Sequence, residues 1–318
     1  MIKARVSRSS QREFDCILED TKESVVAIAK GSVLKNGEVV VGDYVLLEKQ
    51  TGDNEKYQII EVLERRTKIY RRLVRENKIK ITCSNVDYLV ILNSVSKPNF
   101  KRGIVDRFLI RAVQWEIPAI VIFNKMDQYN PKKLDISFEE GRLKELGVEC
   151  FEISALDKSY APKYLSKGIA ELKEFLRNKT AVFLGQSGVG KSHTISTLSD
   201  GKIQLLSKDI GKKGKGSHTT TWSELLDCGQ FSLIDSPGIR TFAVDDLLIE
   251  ELNDYFPDLH DLFTQCKFKD CKHLPESNGC YFNDLPNNRE SDLILSRLEF
   301  YHQIMDEIDQ VPSWKKSF

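Results

Sequence analysis

"GQSGVGKS", residues 185–192, fits the spacing Gly-x-x-x-x-Gly-Lys-Ser of a phosphate-binding loop, and its flanks decide how it is read. TAVFLG before it is an apolar run suited to a strand, and KSHTISTLS reads as a helix starting directly after the glycines. Strand, glycine turn and helix N-terminus form the setting such a loop needs. Gly185, Gly188 and Gly190 let the backbone turn its N–H groups inward, at the positive end of a helix dipole. Gln186, Ser187 and Val189 complete the candidate cradle. Lys191 can reach the β- and γ-phosphates, and the Ser192 hydroxyl can ligate Mg²⁺.

Three further motifs fall at the ends of apolar runs. FNKMD (123–127) offers Asp127, whose carboxylate can accept from the guanine ring N–H and the exocyclic amine together. Adenine presents no such pair of donors. Asn124, Lys125 and Met126 would pin that loop and cover the base. EISAL (152–156) brings Ser154, Ala155 and Leu156 to a second guanine-side position. DSPG (235–238) supplies Asp235 on the Mg²⁺ side and Gly238 as a γ-phosphate sensor. Their order is unusual. A Ras-like GTPase begins with the phosphate loop, whereas here NKMD and SAL come first. The series is the same ring cut at another point, a circular permutation, which a domain with neighbouring surface termini tolerates. The cut sends the segment after DSPG straight into the C-terminal region, so motion at the γ-phosphate is expected to be passed there.

Around this core the 318 residues, 41% hydrophobic, suffice for two or three domains. Residues 1 to about 65 read as short strands (SVVAIAK, EVVVGDYVLLEK, KYQIIEVLE) between Gly and Asn turns, suggesting a small closed barrel of the oligonucleotide-binding (OB) type. From about 83, apolar strands alternate with helices such as RGIVDRFLIRAVQWE, in which Ile104, Phe108, Leu109 and Val113 recur at helical spacing. That alternation predicts a mostly parallel, doubly covered sheet. From 246 the chain turns helical. The expected division is therefore 1–68, an OB-fold, for which the resemblance named below implies RNA binding; 69–245, a permuted α/β phosphate-loop GTPase domain; and 246–318, a helical zinc-binding domain.

Lys+Arg and Asp+Glu both total 47, so net charge does not point to nucleic acid. Locally, ERRTKIYRRLVRENKIK (64–80) reads either as a solvated linker or as an RNA-facing strip. With no signal-peptide core and no run approaching a membrane span, the expectation is a soluble, cytoplasmic chain. Cys16, Cys83, Cys150 and Cys228 are scattered and read as small buried groups. Cys266, Cys271, His273 and Cys280 are different: three thiolates and an imidazole make a closed tetrahedral shell for one structural Zn²⁺. His260 and His302 are read as solvated or helix-face residues.

The series NKMD, SAL, GQSGVGKS, GKGSHTTT and DSPGIR, with CKFKDCKH, resembles the bacterial circularly permuted family called ribosome small-subunit-dependent GTPase A (RsgA) along essentially the whole chain. The resemblance implies GTP/GDP, Mg²⁺ and Zn²⁺ as ligands. It also implies the 30S ribosomal subunit and its 16S rRNA as partners, no DNA or membrane, and a monomer. The implied activity is GTP hydrolysis stimulated by the subunit, in late maturation and coupled to release. The rival is a GTP-gated RNA-binding assembly chaperone in which hydrolysis only times departure. By the same resemblance, KDIGKKGKGSHTTT (208–221) is switch I, with one of Thr219 to Thr221, Thr220 being favoured, on Mg²⁺. Ile239 stands where Ras-like enzymes carry a water-positioning Gln, which leaves His218 as the catalytic candidate. Three departures stand out: His193 after Ser192, DSPG for the commoner DTPG, and one extra residue between His273 and Cys280.

Overall fold

The computed structural model describes residues 1–10, 13–50, 56–73, 78–157, 159–203, 223–235, 244 and 246–310. The chain opens with β1 (Ile2–Ser9), β2 (Glu13–Leu18) and β3 (Ser24–Ala29), a short helix α1 (Gly31–Asn36), then β4 (Tyr44–Gln50) and β5 (Lys56–Val62). Neighbouring strands run antiparallel except β3 and β5, and a β1–β4 pairing closes the ring. Alternate residues point inward, so Val6, Phe14, Cys16, Ala27, Val45, Leu47 and Ile59 form one barrel core. This is the expected OB-like barrel. The fourth strand starts only at Tyr44, later than the alternating EVVV suggests. Gly42 turns there with φ +92°, and a Cβ on it would lie 2.1 Å from the Ser84 carbonyl oxygen, so only glycine fits.

β6 (Lys68–Leu73) and β7 (Lys78–Ser84) make a separate antiparallel hairpin. Residues 68–73 and 78–80 of the basic strip are therefore strand rather than linker. Arg65 pairs with buried Asp43 at 2.7 Å, Arg66 with Asp87 at 3.1 Å, and Arg72 binds both Glu251 oxygens at 2.6 and 3.0 Å. Lys68, Arg71, Lys78 and Lys80 stay at the surface.

Then come β8 (Tyr88–Ser94), α2 (Arg102–Gln114), β9 (Ala119–Asn124), α3 (Ile136–Glu145), β10 (Glu149–Glu152), α4 (Ile169–Leu176), β11 (Thr180–Leu184), α5 (Lys191–Leu198), β12 (Glu224–Asp227) and β13 (Ser232–Asp235). Their spatial order is β10-β9-β8-β11-β13-β12, parallel except for β12, which also bridges to β1 at Arg8 and Glu224. Every residue of β9 and β11 is buried, so the sheet needs cover on both faces. α2 and α3 supply it on one side, and α4 and α5 on the other. In α2 the inward stripe is Val105, Phe108, Leu109 and Ala112; Val113, expected within it, is 37% exposed. From β8 the chain winds outward through β9 and β10, then returns to β11 on the other side. Ligands of such sheets sit at this reversal, outside the carboxyl ends of the strands.

A 3-10 segment (Ile249–Tyr255), α6 (Pro257–Phe263) and α7 (Arg289–Gln310) complete the described chain. They share a core around Leu252, Phe256, Leu259 and Ile304, which also takes Ile110 from α2. Beside it, Asp106 of α2 accepts from Arg142 of α3 at 3.0 and 2.9 Å and from Arg297 of α7 at 2.7 Å. Among the described residues, no helix is long and apolar enough to cross a membrane.

Candidate nucleotide site and metal centre

The phosphate-type loop leaves β11 through Gly185 and enters α5 through Gly190. A Cβ at Gly185 would approach the Leu92 carbonyl oxygen to 2.3 Å. At Gly190, with φ +101°, it would approach the Asn124 Nδ2 to 2.4 Å. Both positions exclude a side chain because neighbouring strands press on the loop. Val189 is 2% exposed and plugs the loop into the α4/α5 core, while Ser187 and Gly188 face solvent. The Lys191 ammonium donates to the carbonyls of Gly185 (2.6 Å) and Gln186 (3.1 Å), inside the curve of the loop. Ser192, in the first turn of α5, is half-buried. A cationic amine held by neutral carbonyls within a ring of turned backbone suits a polyphosphate.

Asn124 ends β9 and bolts three motifs together. Its Nδ2 donates to the Val189 carbonyl at 2.9 Å, and its Oδ1 accepts from the backbone of Lys125 (2.8 Å) and Ala155 (3.0 Å). The next residue, Lys125, takes a left-handed φ of +65° and donates to the carbonyls of Gly188 (2.8 Å) and Lys97. Met126 is buried, and its N–H donates to the Ile153 carbonyl at 3.1 Å. Asp127 is exposed and oriented: its Oδ1 accepts from the Ser154 hydroxyl at 2.5 Å, its Oδ2 from the Gln128 amide at 3.2 Å. Ala155 is buried, while Leu156 is 74% exposed at the rim. Asp235 ends β13, half-buried. His218, Thr220 and Gly238 lie outside the described residues, as do Thr219, Thr221 and Ile239.

So the loops of NKMD, SAL and the glycine series, far apart in the chain, meet at one edge of the sheet. Two residues to which the motifs gave no role also join them. The Thr197 hydroxyl on α5 donates to the Ala155 carbonyl at 3.0 Å, and Glu152 is wholly buried at the end of β10. No spacing signal announces either one, because their partners lie in other segments.

In the C-terminal part, one donor atom each from Cys266, Cys271, His273 and Cys280 lies within 4.8 Å of all the others. Sulfurs bound tetrahedrally to zinc would stand roughly 3.8 Å apart. The Cys266 and Cys280 sulfurs are 4.0 Å apart, and Cys266 Sγ is 3.3 Å from His273 Nδ1. The Tyr281 N–H donates to Cys266 Sγ and the His273 N–H to Cys271 Sγ, both at 3.4 Å, contacts that favour thiolates. The His273 ring stacks on Phe263 at 4.5 Å. Burial, helped by His302, holds His273 below the usual histidine range, towards the neutral form that ligates. Burial pushes the Cys280 thiol up to about 11, so a bound cation would have to supply the compensating charge. Between His273 and Cys280 the chain turns, with the Ser277 N–H donating to the Leu274 carbonyl and Gly279 at φ +68°. This Cys₃His set is compatible with zinc. The four remaining cysteines are buried, as expected.

Residues 62–245 match the family model described as RsgA GTPase. The Small ribosomal subunit biogenesis GTPase RsgA of Flavobacterium psychrophilum is 33% identical over 277 residues, 86% of this chain and 81% of that protein. Its namesake in Borrelia garinii subsp. bavariensis is 30% identical, covering 91% of each. The crystal structure of YjeQ from Thermotoga maritima superposes with a TM-score of 0.74 at 25% identity, over 97% of this chain and 99% of that one. YloQ, described as a circularly permuted GTPase, gives 0.69 at 22% identity over 98% and 96%, a likeness of fold.

Proposed function

Because this chain belongs to the RsgA GTPase family, we propose that it hydrolyses GTP on the small (30S) ribosomal subunit during biogenesis of that subunit. The observation that carries the reading is Asn124, whose side chain ties the phosphate-type loop to both guanine-side loops. In this reading Asp127 accepts from the guanine edge while Lys125, Met126, Ser154, Ala155 and Leu156 frame the base. The backbone from Gly185 to Gly190 and the Lys191 ammonium hold the phosphates, Lys191 exchanging its loop carbonyls for phosphate oxygens. Ser192, Thr220 and Asp235 would hold Mg²⁺, which when bound neutralises charge on the β- and γ-oxygens. Gly238 senses the γ-phosphate, and His218 orients the water whose oxygen attacks phosphorus as the bond to the β–γ bridging oxygen breaks.

Cys266, Cys271, His273 and Cys280 would hold one structural Zn²⁺. The barrel (1–68) and the zinc-bearing part (246–318) flank the GTPase part (69–245) and grip 16S rRNA, with Lys68, Lys78 and Lys80 at the surface to meet phosphates. The protein acts as a cytoplasmic monomer, without DNA or membrane. Single-turnover hydrolysis with and without purified 30S subunits tests this. The free chain should turn over slowly, at roughly 10⁻⁴ to 10⁻² per second, and the subunit should raise the rate on the order of 10²-fold. His218→Ala should lose most of that gain while keeping its GTP affinity. A wild type that ignores the subunit rejects the reading; a mutant stimulated like wild type rejects only His218. The absence of a Gln at Ile239 favours a second reading, a GTP-gated RNA chaperone, which would show GTP-dependent subunit binding without stimulated hydrolysis.

A further inference from the structure

Glu152 ends β10 two residues before Ser154, and its side chain is completely enclosed. One carboxylate oxygen accepts from the Tyr160 hydroxyl at 3.0 Å and from the Lys163 N–H. The other accepts from the N–H groups of Tyr164 (3.0 Å) and Leu165 (2.6 Å). Its own N–H donates to the Lys167 carbonyl at 2.9 Å. Among the described residues no cation pairs with it. Burying a carboxylate without a cation is costly unless its lone pairs are filled, and here four donors from a single loop fill them. An apolar residue in its place would leave three backbone N–H groups without an acceptor. The strand end and residues 159–167 thus form one hydrogen-bonded unit.

That unit grips the base-reading turn from two sides. Through the strand, the Ile153 N–H donates to the Phe123 carbonyl (2.9 Å), and the Ile153 carbonyl accepts from Met126 (3.1 Å). Ser154 then meets Asp127. Through the loop, Tyr164 packs edge-on against Tyr129 at 4.6 Å, directly after the 3-10 turn Met126–Gln128. We propose that Glu152 is a positioning residue for guanine nucleotide binding: it anchors residues 159–167 so that Ser154 and the Asp127 turn are held ready for the base. The carboxylate touches no nucleotide. It sets how long the nucleotide stays, leaving the chemical step to others.

The inference rests on the guanine-pocket reading above, so its test carries a control for that reading. In the full-length chain, stopped-flow release of a fluorescent GDP analogue and steady-state GTP hydrolysis are compared for wild type, Glu152→Gln, Tyr160→Phe and Asp127→Asn. Glu152→Gln puts an NH2 group where one oxygen accepted from two donors, and should release GDP at least about tenfold faster and raise KM for GTP similarly. Its kcat should stay within about twofold. Tyr160→Phe removes one donor of four and should fall between the two. A purely architectural Glu152 would lower Tm without changing release from the folded protein, and that result overturns the proposal. Should Glu152→Gln fail to fold, Tyr160→Phe and Tyr164→Ala decide, and wild-type release in both overturns it. If Asp127→Asn keeps its preference for guanine, the pocket reading fails and this inference with it. A response to Asp127→Asn with none to Glu152→Gln overturns this inference alone.

Discussion

At the scale of single residues, the turn after β9 is built so that one carboxylate is oriented and left at the surface. Ser154 and Gln128 each donate to one oxygen of Asp127, and the remaining lone pairs face outward. Asp127→Asn keeps an oxygen for Ser154 but replaces the other acceptor with a donor. GTP should then bind at least about a hundredfold more weakly, through a lost charged pair and a new donor–donor clash. XTP, whose ring presents an acceptor where guanine has its amine, should gain. Equilibrium binding of GTP, XTP and ATP checks this, and an unchanged guanine preference would remove Asp127 from the site.

At the scale of elements, the C-terminal helices depend on two attachments besides their contacts with α2 and α3. The first is the Cys₃His set, whose loop has little apolar core of its own. A structural zinc site contributes on the order of 10 kcal/mol of binding free energy to folding at pH 7. Freshly prepared protein should carry one zinc per chain by elemental analysis, and Cys271→Ala should expose residues 246–310 to protease while the GTPase part persists. Protein without zinc would refute this. The second attachment is the hairpin, where Arg72 grips Glu251. Burial pulls the Glu251 carboxyl upward, but hydrogen bonds from Arg72 and Tyr255 outweigh it and hold the carboxyl below its ordinary value. A depressed folded-state pKa contributes stability that is complete above the ordinary carboxylate value and fades as pH falls through the lowered one. Urea midpoints measured from pH 7 down to 3 should therefore drop less steeply in Glu251→Gln than in wild type.

At the scale of the whole molecule, one buried ion cluster joins the GTPase helices to the tail. Asp106 is 0% exposed and neutralises Arg142 and Arg297, themselves nearly inaccessible, with Asp258 of α6 completing the Arg297 pairing at 2.7 Å. Removing the central acid takes two hydrogen bonds from Arg142 and one from Arg297, and leaves these buried cations only Glu139 and Asp258 as counter-charges in a low-dielectric setting. Asp106→Ala should cost about 3–5 kcal/mol, more than its lost packing explains. The two parts should unfold together in wild type and separately in the mutant, read by probes on α3 and α7. A single unchanged transition would deny the cluster its coupling role.

The sequence by itself determined what depends on local backbone and on spacing. A phosphate-type loop needs glycines, a preceding strand and a following helix within twenty residues. A metal shell needs four ligands within fifteen. Alternating and continuous apolar runs separate a barrel strand from a doubly covered one. These signals survive without knowledge of distant partners, so the barrel, the permuted sheet and the four-residue cluster were all legible. Only the tertiary structure decided the rest. Whether the basic strip at 64–80 faces solvent turned on Asp43, Asp87 and Glu251, one of them some 180 residues away. The outward turn of Val113 and the late start of β4 at Gly42 depend on which surfaces close against them. The enclosure of Glu152 depends on a loop that folds back over its own strand. Periodicity records which face a side chain occupies. What waits on that face is set by packing between segments the chain brings together only once it has folded.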